Sequence, residues 1–181
     1  MSASEAPLQQ AQKCLRITDV YLQKSSLSSS EEYEHRSVDP AALRSQYHHV
    51  VEKSEVLVEE DGSDGLRLFR VHVDLAVRWG LVSIPDTSTE SEPSEADVSE
   101  DAFNELGRIA AHFVAEYELT EDLTQECLDA FALKNASYHV WPYWREYVSI
   151  SCARMNVPKI VMPTIQVAQN RDCDAVEQSR G

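Results

Sequence analysis

Trp141-Pro142-Tyr143-Trp144-Arg145-Glu146-Tyr147-Val148 places four aromatic residues in one short run, and its reading decides the fold. Pro142 has a fixed φ and no N–H, so it suits the first turn of a helix and would break one further in. A helix therefore opens at this run. Along it Trp141, Trp144, Val148, Cys152 and Met155 recur at three- and four-residue steps and mark one apolar face. Tyr143, Tyr147 and Ile150 fall around the other side. A surface helix is polar on its free side, so apolar residues on two sides predict a helix held between two layers. Periodicity alone is met equally by an ordinary core helix. Asn156 suits a left-handed cap, and Pro158 forbids continuation.

Upstream of this helix the period changes from helical to alternating. Cys14 to Leu22 alternates as a strand, and Tyr47 to Glu59 is a second one with β-branched bulk at Val50, Val56 and Val58. Between them 24–46 is rich in Ser and Glu, contains Pro40 and lacks a period, which predicts a long polar connection. The turn residues of 60–65 lead into a third strand from Leu66 to Val82. On it Phe69, Val71, Val73, Leu75, Val77 and Trp79 share one face, and Leu66, Leu68, Arg70, His72, Asp74 and Ala76 share the other. A fourth strand, Ala102 to Leu119, puts Ile109, Ala111, Phe113, Ala115, Tyr117 and Leu119 on one side. Thr120-Glu121-Asp122 reads as the cap of a helix from Leu123 to Lys134. After the aromatic helix, Val157 to Val167 is an apolar extended segment pinned by Pro158 and Pro163.

Four strands followed by helices predict an α+β domain: a four-stranded antiparallel sheet with helices packed on one face. Its bounds are 14–168. Residues 1–13 read as a flexible N-terminal segment, and 169–181 as a polar C-terminal tail. The insertion 84–101 holds acids, two prolines, no base and no aromatic, so it is expected to be disordered.

At 181 residues the chain has room for one core. A net charge of −15 counts against nucleic acid and anionic membrane surfaces as partners. No apolar run is long enough to insert in a membrane, and the polar start carries no signal core, so a cytoplasmic location is expected. The four cysteines show no paired spacing, which predicts free thiols.

No catalytic or cofactor motif emerges. His48 and His49 are adjacent, so in a strand they point to opposite faces and cannot share a metal. His72 and His112 read as sheet-face residues. Cys152 and His139 lie at opposite ends of one helix, roughly 20 Å apart, too far for nucleophile and base. The expectation is a binding or assembly protein with no catalytic residue, no metal and no cofactor.

The run Trp141-Pro142-Tyr143-x-Arg145-Glu146, followed by Val157-Pro158-Lys159-Ile160-Val161-Met162-Pro163-Thr164-Ile165, resembles the SecB protein-export chaperone family. That family has an aromatic-Pro-Tyr-x-Arg-Glu helix and then an apolar-Pro loop, after four strands in this order. The resemblance implies an ATP-independent holdase that keeps unfolded precursor polypeptides competent for export and translocation. It also implies a homotetramer, a dimer of dimers joined through first-strand edges with the central helices between two sheets. Carried onto this chain, the client groove is Ile109, Ala111 and Phe113 with Val157, Ile160, Met162 and Ile165; each of these also suits plain core. The oligomer interface is Trp141, Tyr143, Trp144, Tyr147, Val148 and Cys152.

The chain departs from the family where the export motor ATPase docks. Asp19 matches one acidic contact, whereas Gln23 and Ala110 stand where acids are expected. The family's second helix and motor-binding tail are expected to be shortened, since only 168–181 follows the loop. These departures leave a second possibility, a SecB-like chaperone dedicated to one client such as the antitoxin of a toxin–antitoxin system. A third is a scaffold that shares only the fold.

Overall fold

The computed structural model describes residues 5–31, 33–34, 36, 38–58, 66–82 and 103–165. The connections 59–65 and 83–102 and the tail 166–181 lie outside the described residues, so the expected hairpin turn, the acidic insertion and the polar tail do too.

Four long strands, β1 (Leu15–Ser29), β2 (Leu43–Val58), β3 (Arg67–Val82) and β4 (Phe103–Leu119), form one antiparallel sheet in the order β1-β4-β3-β2. Helices α1 (Glu5–Cys14), α2 (Gln125–Phe131) and α3 (Ser137–Met155) follow the same chain order around it. This is the α+β architecture expected from the pattern. Alternation explains the core: Phe69, Val71, Val73, Leu75 and Val77 of β3 lie beside Tyr117, Ala115, Phe113, Ala111 and Ile109 of β4, all on the side covered by α3. Above them sit Phe131, Val140, Trp144, Val148 and Cys152. Tyr117 meets Phe131 edge-on with centroids 4.9 Å apart, a favourable aromatic geometry. Trp79 lies across Gly107; a Cβ on that glycine would come within 2.1 Å of the indole, so only Gly fits.

Four expectations are corrected. The central helix begins at Ser137, not at Pro142, because a π-helical segment (Ala132–Ala136) carries the helical path on from α2. Pro142 therefore sits inside α3, where it removes one backbone donor. The helix expected from Leu123 starts at Gln125, and its cap is Thr124, whose side chain accepts from the Cys127 N–H. The connection expected over 24–46 shrinks to 30–42, since β1 runs to Ser29 and β2 starts at Leu43. Its serines stay exposed, but their backbones pair with β4 from Ala111 to Gly107, and an edge strand needs no more than that. The N-terminal segment expected to be flexible is helical from Glu5. It docks on α2 through buried Ala11, and Gln12 Nε2 donates to Asn135 Oδ1 at 3.1 Å. Asn156 takes the left-handed cap as expected, at φ 54°.

Candidate functional site

After Asn156 the chain folds back along α3. The Trp141 indole N–H donates to the Pro163 carbonyl at 3.2 Å, and the Tyr47 hydroxyl of β2 donates to the Val161 carbonyl at 3.4 Å. Val157 and Met162 are buried against the core, with Ile160 and Ile165 half-buried. Between them Val161 points out and is 75% exposed. The two prolines hold the segment extended, so its side chains alternate between core and surface.

The residues carried over as a client groove are therefore brought together, and in the single protomer most are covered. Ile109, Ala111 and Phe113 are buried on β4 beneath α3, contiguous with Val157 and Met162. The surface above them is still apolar at its margins. The registers place Ile17, Leu22 and Leu27 of β1 on the same side of the sheet as Tyr117, Phe113 and Ile109, and all three are exposed. At the opposite margin Tyr47, Val56 and Val58 of β2 are exposed on that same side. Both β1 and β2 are edge strands, each offering an unpaired row of backbone donors and acceptors. Sequence reasoning missed these margin residues because β1 and β2 lack clean alternation. Bulges at Thr18 and Gln23, the extra residues in the β1 register, shift which side chains face the helix.

The residues carried over as an oligomer interface divide between two surfaces. Trp141, Trp144, Val148 and Cys152 are buried in the protomer itself, Trp144 being only 1% exposed. Tyr147 is half-buried, stacked on Trp144 and edge-on to Phe113. Tyr143 is 47% exposed, and with Tyr138 and Ile150 it faces away from the sheet. The two-sided apolarity read from the sequence thus has one side in the core and one side open.

Two polar pairs described on this side each join a histidine to a hydroxyl. His49 Nε2 lies 2.7 Å from Ser137 Oγ, with its ring against Trp141 at 5.9 Å. Burial, and the neighbouring His48, hold His49 below its ordinary value. Burial likewise raises the Cys152 thiol, which lowers its thiolate fraction and its reactivity. His139 accepts no partner role with Cys152; its Nδ1 lies 2.9 Å from the Tyr117 hydroxyl. Cys14, Cys127 and Cys152 are free and buried, and Cys173 lies outside the described residues.

The outer face of the sheet is polar. Asp19, the one acid matching a motor contact, is exposed there and turned back on its own strand, with Oδ1 accepting from the Val20 N–H at 2.8 Å. Ala110 lies half-buried on the same face, and Gln23 is a bulge residue. Arg70 and Glu116 form a close ion pair, joined by the Tyr21 hydroxyl at 3.2 Å. His72 lies on this sheet face, as expected, but is buried there and touches His112. Among the described residues no helix is long and apolar enough to cross a membrane.

Neither a protein-family model nor a curated protein matches the sequence. Among solved structures, the chain is similar to the Mycobacterium tuberculosis Rv1957 SecB-like chaperone in complex with a ChAD peptide from the Rv1956 HigA1 antitoxin. The match has a TM-score of 0.58 at 19% identity and covers 89% of this chain and 97% of that one. The fold is SecB-like.

Proposed function

We propose that this protein is an ATP-independent chaperone that holds unfolded polypeptides on the helix side of its sheet. The observation that carries this reading is the pair of exposed apolar margins, Ile17–Leu22–Leu27 and Tyr47–Val56–Val58, each running along an unpaired edge strand. An extended client has backbone groups to satisfy and apolar side chains to bury, and an edge strand beside an apolar strip offers both. Holding only the unfolded form withdraws it from aggregation by mass action. Exposed Val161, on the loop over this face, is the best placed of the carried-over segment to touch a client.

The assembly we propose is a homotetramer, a dimer of dimers. The open side of α3, with Tyr138, Tyr143 and Ile150, is an apolar surface that a closed symmetric assembly would cover. In that arrangement the groove residues Ile109, Ala111, Phe113, Val157, Ile160, Met162 and Ile165 form the floor, and the margins form its accessible walls. The protein works in the cytoplasm without a cofactor.

Two clients fit this surface. One is the range of precursors bound for export, handed to the motor ATPase through Asp19. The other is a single dedicated partner, such as an antitoxin. The second is favoured by the loss of acids at Gln23 and Ala110 and by the antitoxin peptide in the structurally similar chaperone.

The test is mass measurement by light scattering, with and without a reduced, unfolded polypeptide, alongside suppression of its aggregation. A tetramer that captures the polypeptide is the expected result. Val161→Asp should leave stability within about 0.5 kcal/mol, as for an exposed site, yet weaken capture about tenfold, the loss of one buried apolar side chain. A folded protein that neither captures nor protects any unfolded chain would leave only the scaffold reading. Recovery of partners from the host then separates many precursors plus the motor from one small client.

A further inference from the structure

The outer face gathers a run of ring nitrogens and carboxylates that the chaperone surface does not use. It begins at Glu55 on β2, whose Oε1 lies 3.0 Å from His72 Nε2. A carboxylate accepts, so the hydrogen of this contact belongs to His72 Nε2. His72 Nδ1 lies 3.0 Å from His112 Nε2. With one hydrogen on each ring, His72 Nδ1 presents a lone pair and His112 Nε2 donates to it. The remaining nitrogen, His112 Nδ1, then also presents a lone pair. It faces Asp74 Oδ1 at 2.6 Å and Glu52 Oε2 at 3.5 Å. Three potential ligand atoms on three strands, His112 Nδ1, Asp74 Oδ1 and Glu52 Oε2, thus meet at one place.

We propose that Glu52, Asp74 and His112 bind a divalent first-row transition-metal ion of the zinc class. The ligand atoms lie within 4.8 Å of one another, close enough for one ion to reach all three. One imidazole nitrogen and two carboxylates form a donor set that suits zinc, cobalt or manganese. Two further features belong to a built site. Glu52 is the extra residue of a bulge between Val51 and Lys53, and its carboxylate lies on the outer face beside Asp74, 3.5 Å from His112 Nδ1. His112 is also held from behind: His72, with only 6% of its side chain exposed, fixes the ring, and Glu55 fixes His72. A relay of this kind sets the tautomer and orientation of a metal-ligating histidine. Asp74 and His112 also line a hollow of about 280 Å³, shared with His48, Ala76 and Ala110, which gives water or a fourth donor room beside the ligands. The neighbouring cations are Lys24 and Arg108, which line the hollow, together with Lys53, bonded to Glu55, and Arg70, paired with Glu116.

The test uses the full chain, untagged and stripped with chelator, titrated calorimetrically with zinc and followed with cobalt by absorption. The expected result is one ion per chain and a cobalt spectrum without thiolate charge transfer, unchanged in Cys173→Ser. Glu52→Gln, on the exposed bulge, and His112→Asn should each weaken binding tenfold or more with the circular dichroism intact. His72→Leu, which removes only the support, should weaken it about 10- to 100-fold. Zinc binding of the same stoichiometry and affinity in folded Glu52→Gln and His112→Asn would overturn the proposal. So would a folded wild type that takes up no zinc or cobalt at millimolar concentration.

Discussion

The indole of Trp141 reaches from α3 to the carbonyl of Pro163, 3.2 Å away, and so ties the helix to the returning segment. Trp141→Phe keeps the ring but removes the donor. A typical net hydrogen bond contributes about 1 kcal/mol, so the midpoint of thermal unfolding should fall by about 2–4 °C for a chain of this size. Hydrogen exchange should rise locally over 157–165, where the tie is lost, and not in β3 or β4. Uniform exchange across the sheet would show that the segment is held by its apolar contacts alone.

Trp144 and Tyr143 are neighbours on α3 with opposite surroundings, one buried against the sheet and one open. Trp144→Asp puts a charge into the protomer core, which costs several kcal/mol, and should abolish folding. Tyr143→Asp leaves the core alone. It should keep the circular dichroism of the parent while reducing the particle mass seen by light scattering. A folded Trp144→Asp, or a Tyr143→Asp of unchanged mass, would reverse the assignment of the two sides of the helix.

Gly107 has no room for a side chain, because the buried Trp79 ring lies across it. Gly107→Ala should destabilise by about 1–3 kcal/mol, as for other overpacked sites. Urea unfolding measures this directly. Trp79→Leu should cost less in this background than in the parent, since the two changes share one contact and are not additive.

His49 and His139 are both held below the ordinary histidine value of 6.5, chiefly by burial. A depressed value in the folded state means that the unfolded chain binds the proton more tightly. Stability from these groups is therefore complete above about pH 6.5 and is lost as pH falls from there toward the folded values. A second loss belongs lower. Hydrogen bonds from Arg108 hold Glu105 below 4.5, so its contribution is present above that value and disappears as pH falls through the folded one. Urea midpoints measured from pH 8 to pH 4 should show the first decline, and His139→Gln should shrink it. A flat profile down to pH 5 would be inconsistent with two half-buried rings whose charged form is disfavoured.

The core-facing sides of β3 and β4, the apolar stripe of α3 and the cap at Asn156 were all legible in the order of residues. Each follows from local geometry: a strand repeats every two residues, a helix near every four, and a left-handed cap favours Asn. The start of α3 was not legible, because Pro142 is tolerated inside a helix that the segment Ala132–Ala136 brings in from upstream. The serine-rich half of β1 was not legible either. Its place in the sheet rests on backbone pairing to β4, and side-chain composition is silent about that.

By itself the sequence determined which side chains share a face, where helices stop, and that no familiar catalytic motif is written along the chain. Only the tertiary structure decided the strand order β1-β4-β3-β2, which leaves β1 and β2 as open edges, and the meeting of Glu52, Asp74 and His112 from three strands. The reason is physical. Periodicity sets the direction of a side chain relative to its own backbone, whereas neighbours across a sheet depend on pairing register between segments tens of residues apart, and on the single extra residue of a bulge.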